Sequence, residues 1–192
     1  MSYLPTIWKP QQKVFSHFSQ AETAAIIDKA SGPRYRYFFM TLNGTGLRIG
    51  EALAIKVKDV IDGLDGFTLI IVREKKGKNT KTERLPIATE LGRTLKDYAQ
   101  AARLQPNDLL FSGHGNSYRY QLKMAAKAAG LEDWQHTHCH QFRHSFIYRK
   151  VSEGTHPLVL TALVGHSSLQ VTQAYYMPQE SDLRKAMEGP VS

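Results

Sequence analysis

LVGHSSLQVTQAYY, residues 163–176, is the stretch on which the reading of this chain turns. His166 sits in a glycine–serine turn, and Tyr175 follows nine residues later. Ser167 with Gln170 at the third helical position has capping-box spacing, and Met177-Pro178 supplies a stop, so a helix is predicted over about 168–177. On that helix Tyr176 continues a Leu169–Thr172 stripe predicted to pack inward. Tyr175 then lies on another face and is the better candidate for a mobile nucleophile. The bland alternative is that both tyrosines are core aromatics, their usual fate in a short helix.

Three strings upstream carry groups that suit an attack on phosphate. In HQFRHSF (140–146), His140 and Arg143 are three apart on a predicted helix and can address one phosphate together. In TGLRIGEAL (45–53), Arg48 and Glu51 repeat that spacing at a helix start. A guanidinium there can grip a phosphate bidentately while the carboxylate orients it, although the pair alone reads as a surface salt bridge. Between them, EKKGKNTKTERLPI (74–87) places Lys75, Lys76, Lys78 and Lys81 on a predicted hairpin tip. Such a run is either a solvated turn or a row that tracks phosphates, with one ammonium able to protonate a departing 5′-oxygen. Two arginines, two histidines, a lysine and a late tyrosine are what a phosphodiester transesterification without metal or cofactor needs.

The bulk properties fit a partner of that kind. The 192 residues suffice for one domain with a real core. The formal charge of +8 and isoelectric point near 9.6 favour a polyanion, DNA or RNA ahead of an acidic membrane. No stretch approaches the ~20 apolar residues of a membrane span, and the start, MSYLPTIWKPQQKVF, lacks the apolar run of a secretory signal. A single cysteine, Cys139, excludes an internal disulfide framework and fits a reducing cytoplasm.

Along the chain, residues 1–19 read as a polar N-terminal arm, and Ser19 to Glu22 has capping-box spacing for a helix reaching about Ala30. Tyr35–Asn43 is an aromatic, apolar run predicted as a buried helix, followed by a turn at Asn43–Gly46 and a short helix from about Arg48 to Ile55. Phe67–Arg73 and Arg84–Ile87 are predicted strands flanking the basic hairpin. Helices are then predicted at about 88–103, 117–129, 140–153, 156–164 and 168–177. The expected fold class is α+β, mostly helical, with a small antiparallel sheet at one edge; residues 20–178 form the domain and 179–192 a tail.

Two tempting motifs fail on inspection. Gly44-x-Gly46 invites a dinucleotide-binding reading, but position 49 is Ile instead of a third glycine, and a helix-like run precedes the glycines. His136-Thr-His-Cys-His140 offers four potential zinc ligands, but adjacent Cys139 and His140 fit poorly in one tetrahedral site and no second ligand cluster exists. His138 and His144 are expected to be structural.

Taken together, the strings in this order resemble the catalytic domain of the tyrosine recombinases, the phage-type, Xer-type and Cre-type integrases, over roughly Phe18 to Pro178. The resemblance implies catalytic roles for Arg48, Lys78, His140, Arg143, His166 and Tyr175, with Glu51 as the acidic companion of Arg48. Lys78 follows from ungapped alignment to Pro86, with Lys76 and Lys81 as rivals and Lys75 as a further DNA contact. It also implies a 3′-phosphotyrosine intermediate, no need of ATP, double-stranded DNA with a specific site as partner, and a tetramer on that DNA in the cytoplasm. Members commonly carry a separate N-terminal DNA-clamping domain, whereas here about twenty residues precede the homology. The chain is therefore either a catalytic fragment or similar to the short single-domain members, and the short tail offers Leu183, Ala186 and Met187 for docking on a neighbour. Rival readings are a type IB topoisomerase, a DNA-binding protein decayed from a recombinase, and a His/Arg phosphatase or nuclease.

Overall fold

The computed structural model describes residues 15–74, 80–166 and 168–176. Helix α1 (Gln20–Asp28) starts as its cap dictates: Ser19 Oγ accepts from the Glu22 amide at 3.2 Å, and the Glu22 carboxylate accepts from the Ser19 amide at 2.8 Å. Helix α2 (Pro33–Thr45) opens with proline in its first turn, where the missing N–H costs nothing. It ends at Gly46, which adopts φ +67° and lies so close to Phe146 that a Cβ would sit 2.6 Å from that ring.

The expected turn at Asn43 is absent, because α2 runs on through Asn43, Gly44 and Thr45. Leu91 packs over Gly44, and Thr45 Oγ1 donates to the Thr41 carbonyl at 2.6 Å. Short helix α3 (Ile49–Leu53) follows with Arg48 at its N-cap. Next come three antiparallel strands in the order β1-β2-β3: β1 (Val60–Gly63), β2 (Gly66–Glu74) and β3 (Thr80–Pro86). Strand β1 is longer-range information than its short sequence carries, and β3 begins four residues before the predicted strand. In both cases pairing to β2 makes the strand, Val60 opposite Leu69 and Glu83 opposite Ile71.

Helices α4 (Thr89–Ala101), α5 (Gly115–Ala128), α6 (His140–Ser152), α7 (Pro157–Val164) and α8 (Leu169–Gln173) complete the order. The main core joins α2, α4, α5 and α6 to the inner face of the sheet through Phe38, Phe39, Leu42, Leu69, Leu95, Phe111, Leu122 and Phe142, all essentially inaccessible. A smaller cluster of Phe146, Ile147, Leu160, Val164 and Tyr175 lies where α6 meets α7 and α8. Residues 15–18 run along α6: Ser145 Oγ accepts from the Phe18 amide, and Gln141 donates to Ser16 Oγ. Among the described residues no helix is long and apolar enough to cross a membrane.

Candidate active site

Arg48 is held at the start of α3 by local chemistry alone. Glu51 turns back to accept both the Arg48 amide and its Nη1 at 2.8 Å, which leaves the guanidinium 45% exposed and its partner buried. The i, i+3 spacing read from sequence is therefore realised as a contact.

Arg143, on α6, behaves differently from expectation. Only 1% of it is exposed, and its Nη1 donates to the Gly46 carbonyl at 2.8 Å while its Nη2 donates to the Val164 carbonyl at 2.7 Å. Those carbonyls belong to residues two before Arg48 and two before His166. The guanidinium thus ties together the loops that carry the other two groups. Burial is the main cause pushing its pKa down to about 10, with Arg48 adding to the effect and Glu51 opposing it, and it remains a cation at neutral pH.

His166 follows Gly165, the left-handed cap of α7. A hydroxyl chain fixes its ring. The Pro157 carbonyl can only accept, so the single Thr161 proton goes there at 2.8 Å. The Thr172 hydroxyl then donates to Thr161 and accepts from His166 Nδ1–H, each at 2.8 Å. Nε2 is left as the nitrogen available to a ligand. Burial first, then the positive charges of Arg143 and Arg48, depress this imidazole to about 4, so it is neutral at pH 7. His140 is exposed at the first turn of α6, and it too is lowered by partial desolvation, Arg143 and Arg48. Arg48 and Arg143 act on both imidazoles, and Glu51 on His140 and Arg143, so these five groups form one electrostatic cluster.

The tyrosines reverse the faces expected of them. Helix α8 stops at Gln173, with Ser168 as its N-cap residue, and Tyr175 and Tyr176 follow in a tight turn whose amides bond back to Thr172 and Gln173. That turn carries Tyr175 inward, 8% exposed, and leaves Tyr176 half-buried with its hydroxyl donating to the Thr155 carbonyl. The Tyr175 hydroxyl meets His144 Nδ1 at 2.5 Å. Phe15 stacks on both rings, at 4.7 Å from Tyr175 and 4.8 Å from His144, and Tyr148 closes the side edge-on at 5.1 Å. Burial pushes the Tyr175 hydroxyl up to about 12, partly offset by Arg143, while desolvation and His140 depress His144 to about 4. His144, expected to be structural, is thus the direct partner of Tyr175. Its i, i+4 spacing from His140 was the available clue.

Lys75, Lys76 and Lys78 lie outside the described residues, as do Ser167 and the tail. Lys81 is described: it stands exposed on β3, not on a turn, and pairs with Glu83 at 3.0 Å. Arg73 escaped the sequence reading although the alternation of β2 marked it. It occupies the inward position after Phe67, Leu69 and Ile71, and is 5% exposed. Cys139 is buried, and desolvation pushes its thiol up to about 11, so it behaves as a core residue.

The sequence matches the profile of the phage integrase family over residues 15–182. A tyrosine recombinase XerC of Methylobacterium sp. is 34% identical over 157 residues, covering 77% of this chain and 47% of the relative. A tyrosine recombinase XerA of Thermococcus kodakarensis is 32% identical over 163 residues, covering 81% and 55%. The chain spans about half the length of these curated relatives. Among solved structures, the XerA recombinase superposes with a TM-score of 0.71 at 24% identity, covering 97% of this chain and 68% of that one. The XerH recombinase in a pre-cleavage complex with its difH substrate gives 0.72 at 23%, covering 98% and 58%. The catalytic domain of bacteriophage HP1 integrase gives 0.65 at 19%, covering 93% and 97%. At these identities the structural likeness establishes the fold.

Proposed function

This chain belongs to the phage integrase family, and on that premise we propose that residues 20–178 are the catalytic domain of a site-specific DNA recombinase. The observation that carries the reading is the cluster of Arg48, His140, Arg143 and His166, of which His140 and Arg143 share helix α6 with His144, the imidazole in contact with Tyr175.

Tyr175 Oη attacks the scissile phosphorus, the bond from phosphorus to the 5′-oxygen breaks, and a 3′-phosphotyrosine forms. The Tyr175 proton passes to the His140–His144 imidazole pair, of which His144 is already in contact, and Lys78 protonates the departing 5′-oxygen. Arg48 donates to the non-bridging oxygens, His166 donates to them from Nε2 in the imidazolium form that the phosphate anion favours, and Arg143 adds buried positive charge while keeping their loops in register. The ester conserves the phosphodiester bond energy, so rejoining to a partner 5′-hydroxyl requires no ATP. Lys75, Lys76 and Lys81 contribute contacts to the DNA backbone. The active assembly is a tetramer on a specific duplex site in the cytoplasm.

The test is covalent capture. Wild-type protein is incubated with a randomised library of nicked duplexes, and SDS-resistant adducts are recovered and sequenced. Wild type and Tyr176→Phe are expected to form adducts on a recurrent sequence, and Tyr175→Phe none. An adduct in Tyr175→Phe refutes the nucleophile. Relaxation of supercoiled plasmid without the captured sequence would assign the chain to topoisomerase chemistry instead. Alanine substitution of Lys76, Lys78 and Lys81 is expected to slow cleavage most at Lys78.

A further inference from the structure

Arg73 is a cation at the fourth inward position of a strand whose other inward residues are Phe67, Leu69 and Ile71. A buried charge at an apolar position is costly unless its geometry serves something. Its Nη2 donates to the Leu163 carbonyl at 2.7 Å and its Nη1 to the Ala162 carbonyl at 3.5 Å. Glu83 lies 3.3 Å from Nη1, and Glu51, the carboxylate that orients Arg48, lies 3.9 Å from Nε. That Nε has no hydrogen-bond partner, the one buried side-chain nitrogen or oxygen so placed among the described residues. The guanidinium also fills the space above Gly165, where a Cβ would stand 1.5 Å from Nη1. With Arg143 on the Val164 carbonyl, two arginines occupy three consecutive carbonyls at the end of α7, immediately before His166.

We propose that Arg73 is a positioning residue of the active site: it clamps the C-terminal end of α7 to the Arg48–Glu51 pair and so sets where His166 stands relative to Arg48. This rests on the recombinase reading above. The clamp needs a planar fork, because one group must meet carbonyls on one side and carboxylates on the other. A lysine ammonium keeps the charge and loses that span. Gly165 is the matching half of the device, since any side chain there evicts the guanidinium.

Two measurements test it. In the protein without DNA, amide hydrogen exchange over residues 161–166 is expected to accelerate at least about tenfold in Arg73→Met and in Gly165→Ala, with the amides of α5 unchanged. Unchanged exchange over 161–166 overturns the clamp. In single-turnover adduct formation on the captured duplex, Arg73→Lys is expected to lose about 10–100-fold in rate with duplex affinity kept, as supporting residues around a reacting group do. In a His166→Ala background the same change is expected to cost less than about 3-fold, because both act through one group. Additive losses would overturn the Arg73 assignment and leave the recombinase reading intact. Absence of any wild-type adduct would overturn the recombinase reading and the positioning role with it, while the exchange result would still report on the clamp.

Discussion

Replacing Arg143 by lysine and by methionine separates what its fork does from what its charge does. The wild-type guanidinium satisfies two buried carbonyls, at Gly46 and Val164. A carbonyl left unpaired in a buried site costs about 1–3 kcal/mol, so methionine, which satisfies neither, forfeits about 2–6 kcal/mol. The same burial makes the cation itself expensive. Depression of its pKa from the ordinary 12.5 to about 10 corresponds to about 3 kcal/mol against the charged form. Methionine regains that, for a net loss of about 3 kcal/mol or less. Lysine retains the charge and its desolvation, and its compact ammonium can reach one carbonyl of the two, for a loss of about 1–3 kcal/mol. Lysine is therefore expected to lose about 2–12 °C in Tm, and methionine no more than about 12 °C, at the ~2–4 °C per kcal/mol typical of a chain this long. Urea unfolding followed by far-UV circular dichroism at pH 7.5 measures both. Full recovery in lysine beside a loss above about 5 kcal/mol in methionine would mean that charge, not the fork, holds the two loops, and would refute the argument.

Thr172→Val, an isosteric change, breaks the hydroxyl chain from His166 to Pro157 and frees the ring to turn; adduct formation is expected to slow about 10-fold at unchanged duplex affinity. Equal rates would show that the chain does not orient His166. Low pH attacks the same region. His144 and His166 have folded values near 4 against an ordinary 6.5, so their neutral forms are favoured by folding; that stability is complete above pH 6.5 and is lost as pH falls towards 4. Urea midpoints across this window are expected to fall less steeply in a His144→Gln/His166→Gln variant, and parallel slopes would contradict the assignment. Gly46→Ala forces a left-handed alanine against the Phe146 ring, and a loss of about 2–4 kcal/mol is expected from the same urea assay. A loss under about 1 kcal/mol would mean that α6 yields to the new methyl group.

Short-range stereochemistry was legible in the sequence because its determinants lie within one turn of one another. The Ser19–Glu22 cap, the β2 strand and the Arg48–Glu51 pair all formed as their spacing required. Where the reading differed, a distant partner had outvoted local preference. Leu91 and the Phe146 ring close over Gly44 and Gly46, so α2 continues through a segment with the composition of a turn. Strand β1 and the first half of β3 exist because β2 offers them a ladder. The catalytic candidates divide along the same line. Residue types and order along the chain marked Arg48, His140, Arg143, His166 and Tyr175. Only the folded arrangement turned Tyr175 onto His144, buried Arg143 between carbonyls 97 and 21 residues away, and brought Arg73 onto the carbonyls of Ala162 and Leu163 at the end of α7. The reason is geometric: hydrogen bonds from a buried guanidinium are satisfied by whichever backbone the packing delivers, and spacing along the sequence does not encode that delivery.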